Sequence, residues 1–181
     1  NGLTCTAGTQ CQSNNCVDGV CCGSATCATC QSCSVSGSEG TCTNLGAGLN
    51  DDTCTQASNK QCDGSGACKS VNGQVCAMGV DCLSGNCVDG VCCSSTCTGV
   101  CKSCNVAGSV GSCSNVPAGQ EDNFPANACN GVNSCDGSGN LAAACKKDVG
   151  QACAAGSECT NGNCVDGFCC GSASCLECQS C

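Results

Sequence analysis

A chain of 181 residues with a formal net charge of −9, no His, Arg, Tyr, Trp or Ile, and only six Leu, fifteen Val and two Phe cannot build an ordinary apolar core. The same composition argues against whole classes of partner: no basic patch neutralises phosphate, so no nucleic acid is expected, and no apolar run approaches a membrane span, so no membrane insertion is expected. What the chain has instead is 32 cysteines, about 18% of its residues against the roughly 8–10% that marks a disulfide scaffold.

The cysteine pattern divides the chain into alternating segments. Segment A1 (residues 1–40) carries Cys5, Cys11, Cys16, Cys21, Cys22, Cys27, Cys30 and Cys33. Within it, Cys16-Val17-Asp18-Gly19-Val20-Cys21-Cys22 predicts a two-residue hairpin turn, because Asp-Gly supplies two positions of positive φ between apolar neighbours. Val17 then faces Val20, Cys16 lies near Cys21, and the adjacent Cys21 and Cys22 point to opposite faces and bond different partners. The close triplet Cys27, Cys30 and Cys33 predicts one face of a single helical turn, with Ser24 as a plausible cap. A Gly-Ser-x-Gly turn follows at 37–40.

Connector B1 (41–70) holds Cys42, Cys54, Cys62 and Cys68, with Asp51-Asp52 as solvated loop charges. A2 (71–112) repeats the first pattern with Cys76, Cys82, Cys87, Cys92, Cys93, Cys97, Cys101 and Cys104, a turn at Asp89-Gly90 and Gly-Ser-x-Gly at 108–111. B2 (113–148) holds Cys113, Cys129, Cys135 and Cys145, with Glu121-Asp122 again as loop charges. A3 (149–181) brings Cys153, Cys159, Cys164, Cys169, Cys170, Cys175, Cys178 and Cys181, a turn at Asp166-Gly167, and Ser172 as the counterpart cap. Self-similarity at this scale marks a repeat architecture. Ending at Cys181, on a third A segment, predicts that these residues come from a longer array.

Ordering each residue costs roughly 1–2 kcal/mol of backbone entropy, which so few large apolar side chains cannot offset. Disulfides, at roughly 2–4 kcal/mol apiece, act on the unfolded ensemble instead. Metal clusters are the competing use of so much thiol. Charge argues against them, since about eight Zn²⁺ in Cys₄ sites would carry the chain to roughly −25. Disulfides at this density require an oxidising compartment, so the expected location is extracellular, secreted or at the cell surface. Eight and four are both even, so each A and B segment has the cysteines to close its own bridges, although connectivity is not readable from spacing. Spacing barely changes among the A segments and varies between the B segments, which casts A as a rigid module and B as a looser connector. The expected fold class is a small disulfide-rich repeat protein of short β-hairpins, single helical turns and loops, an elongated array with little hydrophobic core.

Candidate sites are few. Cys-x-x-Cys-x-x-Cys reads as structural half-cystines, because no Arg or His is present to lower a thiol pKa for redox work. Asp136-Gly-Ser138-Gly-Asn140 and its shorter counterpart Asp63-Gly-Ser65-Gly66 resemble the start of a calcium loop, but Lys147 stands where a bidentate Glu would be needed, and a polar turn is the better reading. Catalysis has little to work with, since no His supplies a general base and two Phe build no sugar platform. No catalytic residue, cofactor or metal is expected. Phe124-Pro125, in the longer B loop, is a candidate binding anchor.

The A segments, with Cys-Val-Asp-Gly-Val-Cys-Cys after two upstream cysteines, resemble the cysteine-rich repeats of large secreted and surface proteins of myxobacteria and related bacteria, and are similar to the Dickkopf N-terminal cysteine-rich pattern. The resemblance covers the three A segments. It implies an extracellular stalk, adhesin, matrix or filament component, with no catalytic residues to carry over. Self-association into a filament or longer array is the expected partnership, and an array of loops presented to a protein or glycan ligand is the alternative.

Overall fold

A computed structural model describes residues 1–122, 129–139 and 144–174. These residues form only two-stranded antiparallel sheets. In the first repeat, β1 (Cys16–Val17) pairs with β2 (Val20–Cys21), β3 (Gln31–Ser32) with β4 (Thr43–Asn44), and β5 (Lys60–Cys62) with β6 (Cys68–Ser70). The second repeat copies the set: β7 (Cys87–Val88) with β8 (Val91–Cys92), β9 (Lys102–Ser103) with β10 (Ser114–Asn115), and β11 (Asn133–Cys135) with β12 (Cys145–Lys147). The third A segment contributes β13 (Cys164–Val165) and β14 (Phe168–Cys169).

The Asp-Gly pairs turn the first hairpin of every repeat. Asp18 and Gly19 have φ of 52° and 78°, and Asp89–Gly90 and Asp166–Gly167 repeat the geometry. Both central positions are left-handed, the turn whose twist suits a two-residue hairpin. Val17 pairs with Val20 and Cys16 with Cys21. Single 3₁₀ turns precede these hairpins at Gly8–Gln10, Gly79–Asp81 and Gly156–Glu158, and another lies at Gln56–Ser58. Gly opens the first three for a steric reason. A Cβ at Gly8, Gly79 or Gly156 would stand 2.2, 2.3 or 2.1 Å from the carbonyl oxygen of Asn14, Gly85 or Gly162.

The helical turn expected at the Cys27 triplet does not form. Gln31 N–H donates to the Ala28 carbonyl to close a β-turn, and the chain passes directly into β3. Cys30 sits at φ 58°, as Cys101 does at 57° and Cys97 at 45°, a left-handed conformation that ends any right-handed helix. The cause is bonding. Cys27, Cys30 and Cys33 have partners in three different places, at Cys42, Cys62 and Cys22, and one helical face cannot serve all three. Ser24 therefore caps no helix, and the third triplet, Cys175, Cys178 and Cys181, for which Ser172 is the expected cap, lies outside the described residues.

The bridges define the repeat. Cys5–Cys16, Cys11–Cys21 and Cys22–Cys33 close within A1, and Cys54–Cys68 closes within B1. Cys27–Cys42 and Cys30–Cys62 run between A1 and B1. The second repeat pairs in the same order: Cys76–Cys87, Cys82–Cys92, Cys93–Cys104, Cys97–Cys113, Cys101–Cys135 and Cys129–Cys145. Cys153–Cys164 and Cys159–Cys169 begin the third. A and B are thus welded by two bridges into one twelve-cysteine unit, which the even count in each segment left open. Sulfur also supplies the interior. Cys22, Cys30, Cys33, Cys54 and Cys62 have no exposed surface, and among the described residues a few Val, Ala144 and Leu45 join such clusters.

One joint links each B segment to the next A segment, and it is built twice. Ser70 at the end of β6 forms a parallel bridge with Cys82, the Leu83 N–H donates to the Ser70 carbonyl at 2.9 Å, and Lys69 Nζ donates to the Val80 carbonyl. Lys147 at the end of β12 bridges Cys159 in the same sense, Thr160 N–H donates to the Lys147 carbonyl at 3.0 Å, and Lys146 Nζ to the Ser157 carbonyl at 2.6 Å.

Candidate functional site

The polar side chains that sequence treats as surface decoration are mostly committed to the backbone. Asp18 does more than turn the hairpin: its Oδ2 accepts from Ser32 Oγ at 2.8 Å and from the Cys33 N–H at 2.9 Å. Asp89 Oδ2 accepts from Ser103 Oγ at 2.6 Å and the Cys104 N–H at 2.9 Å. Each hairpin is thereby clamped to the last cysteine of its own triplet. The signal was present as Ser-Cys at 32–33, 103–104 and 180–181, although the third lies outside the described residues.

Asp51 and Asp122 correct the expectation of solvated loop charges. Asp51 accepts from the N–H groups of Cys30, Cys54 and Thr53, and from Thr53 Oγ1 at 3.0 Å. Its desolvation works to raise the pKa, but these four bonds outweigh it and hold the carboxyl below its ordinary value. Asp122, at the equivalent position, is 2% exposed, exchanges two backbone bonds with Cys129 and accepts from the Lys102 N–H at 3.3 Å. Asp51 thereby ties the middle cysteine of its triplet, Cys30, to the B segment, and Asp122 ties the residue that follows Cys101, Lys102.

The calcium-like loops close on themselves. Asp63 Oδ1 accepts from the N–H groups of Ser65 and Ala67 at 2.8 and 3.0 Å, which lowers its pKa. Asp136 Oδ1 accepts from Ser138 Oγ and N–H at 2.6 and 2.8 Å with the same consequence. Asn140 lies outside the described residues. These are Asx turns, in which a carboxylate oxygen replaces a backbone acceptor.

Among the described residues, two features bear on chemistry beyond these clamps. One is a cleft of about 620 Å³ in the first repeat, between β1, the loop at 25–29 and the loop at 50–53. Its walls carry Asp18, Thr26, Ser34, Asn50, Asp52 and Thr53, so it is small, polar and acidic. The other is a meeting of two bridges, Cys22–Cys33 and Cys27–Cys42. Cys27 Sγ lies 3.6 Å from Cys33 Sγ, Cys33 Sγ 3.8 Å from Cys42 Sγ, and Cys22 Sγ 4.0 Å from Cys42 Sγ. The four donor sulfurs of Cys22, Cys27, Cys33 and Cys42 lie within 4.8 Å of one another.

The A2 surface differs from its neighbours. Val75, Met78 and Val80 are 84%, 62% and 63% exposed, where A1 places Thr4, Ala7 and Thr9 and A3 places Ala152, Ala155 and Ser157. Phe124 and Pro125, the anchor proposed from sequence, lie outside the described residues. No helix among the described residues is long and apolar enough to cross a membrane. Comparison of the chain with protein-family models, with curated proteins and with solved structures returns no match.

Proposed function

We propose that this chain is a structural component of the extracellular surface, a stiff disulfide-stapled stalk or filament-forming repeat. The observation that carries the reading is the joint: successive units meet through the same parallel bridge, the same backbone hydrogen bond and the same lysine-to-carbonyl bond at both places where a B segment reaches an A segment. A unit welded by six bridges and joined to the next by a repeated contact transmits force along the chain, with interactions confined to neighbours. The need for an oxidising environment and the resemblance to bacterial surface repeats both support a rod outside the cell.

Negative-stain electron microscopy of native, non-reduced material tests it. Regular fibres labelled by an antibody to the chain are the expected result for a filament, and short straight rods for a stalk. Compact particles or freely bent chains of beads would overturn both. A second reading, an array that binds a protein or glycan, is favoured by the apolar dressing of A2 at Val75, Met78 and Val80. It predicts dispersed monomers whose adhesion to a partner surface falls on Met78→Ser, with the rod shape unchanged.

A further inference from the structure

Where two bridges meet in the first repeat, the contacts between them match the sulfur–sulfur spacing of a metal site. In a tetrahedral thiolate centre, metal–sulfur bonds of about 2.3 Å set sulfur–sulfur edges of roughly 3.8 Å. The contacts between the bridges are already 3.6, 3.8 and 4.0 Å. Opening the two S–S bonds lets each bonded pair move apart to non-bonded separation, which supplies two more edges, and the sixth, Cys22–Cys27, is already within 4.8 Å. We propose that Cys22, Cys27, Cys33 and Cys42, when reduced, form a tetrathiolate site for one thiophilic d¹⁰ dication such as Zn²⁺ or Cd²⁺, so that two stacked disulfides and one metal centre are alternative states of the same four residues.

The scaffold around the four sulfurs does not depend on the two bridges that open. Cys21, next to Cys22, stays bonded to Cys11, and Cys30, between Cys27 and Cys33, stays bonded to Cys62. Asp18 holds the Cys33 N–H, and Ser32 pairs with Thr43, the neighbours in sequence of Cys33 and Cys42. The reduction has a route. Cys22 and Cys33 have no exposed surface, whereas Cys27 and Cys42 are partly exposed. A phosphine and one water convert Cys27–Cys42 to two thiols and a phosphine oxide. The Cys42 thiolate, 3.8 Å from Cys33 Sγ, attacks it, forms Cys33–Cys42 and releases the Cys22 thiolate. A second phosphine and water open the new bridge at its exposed end. The dication then displaces four protons from four thiols. The second repeat brings Cys97, Cys104 and Cys113 together as a group of three, so the first repeat loads first.

The test uses the full chain with limiting tris(2-carboxyethyl)phosphine, with and without Cd²⁺, followed by N-ethylmaleimide and mass mapping. The expected result is one Cd²⁺ per chain at the lowest loading, with Cys22, Cys27, Cys33 and Cys42 alkylated severalfold more slowly when Cd²⁺ is present. Cd²⁺ spread without preference over all reduced thiols, or no protection of these four, would overturn the proposal. The double variant Cys22→Ser/Cys33→Ser removes one whole bridge and should abolish protection at Cys27 and Cys42, while Cys54→Ser/Cys68→Ser should leave it intact. Protection that survives the first variant also overturns the proposal, and the mapping of the unmodified chain stands whether or not either variant folds.

Discussion

The two joints share a backbone and differ in their side chains. At the first, Lys69 spans to the Val80 carbonyl and the Leu83 N–H reaches Ser70, beside an apolar Val71. At the second, the neighbours are polar. Asp148 accepts from Ser134 Oγ at 2.5 Å, Thr160 Oγ1 joins them at 3.2 Å and bonds the Lys147 carbonyl at 3.0 Å, and Lys147 pairs with Glu158 at 2.6 Å. Main-chain bonds therefore set the arrangement, while the side chains tune how it responds to salt and acid. An array can keep one geometry along its length and still vary its environment sensitivity from joint to joint.

The largest expected break is covalent. Cys62 lies in β5, which pairs with the β6 strand that makes the first joint, and its bridge to Cys30 spans 32 residues. By loop closure, the double variant Cys30→Ala/Cys62→Ala should cost the first repeat about 3–4 kcal/mol. Amide hydrogen exchange should report this at Leu83 and leave Thr160 as it was, because the second joint rests on Cys101–Cys135. Equal acceleration at both amides would mean that the repeats unfold as one block.

This coupling of A to B marks the limit of what the sequence makes legible. The first hairpin of each repeat is local, and Asp-Gly between apolar residues specifies it without help from the rest of the chain. The disulfide-rich class follows from composition. The triplet is another matter, because its spacing of three suits a helical turn and a turn leading into a strand equally well. Only the distant partners Cys42 and Cys62 decide between them, and distance along the chain does not name a partner. The buried role of Asp122 was hidden for a similar reason, since its acceptor function depends on Cys129 and Lys102 rather than on neighbouring charge. The lysines of the joint left a fainter trace. Lys69 and Lys146 each follow the last cysteine of a B segment in a chain that has only five lysines.

A smaller effect should separate the joints by charge. Lys147→Met removes the Glu158 pair and the bond to the Ala152 carbonyl at 2.9 Å. Both side chains are partly exposed, so solvent and salt already screen the pair. The expected outcome is severalfold faster exchange at Thr160 and Ala154, with Leu83 unchanged, and 1 M salt should shrink the difference between variant and parent. An equal effect at Leu83 would show that the joints are mechanically coupled.

The smallest effect compares three equivalent turns under acid. Gln10, Asp81 and Glu158 each use a side-chain oxygen to accept backbone N–H groups just upstream: Thr6 and Ala7, Ala77 and Met78, and Ala154. The Met78 and Ala77 N–H groups hold the Asp81 pKa below its ordinary 3.8, and the Lys147 bond, followed by the Ala154 N–H, holds Glu158 below 4.5. A carboxyl with a depressed folded pKa stabilises the fold above its unfolded value and loses that contribution as pH falls through the folded one. Acid should therefore shift the amide resonances of Ala77, Met78 and Ala154 at pH values below 3.8 and 4.5 respectively, and leave Thr6 and Ala7, held by a neutral Gln, unmoved. Lys147→Met removes the main cause of the Glu158 shift. Its Ala154 response should then move up toward 4.5 while that of Asp81 stays in place, which distinguishes a tuned side chain from a change in the turn itself.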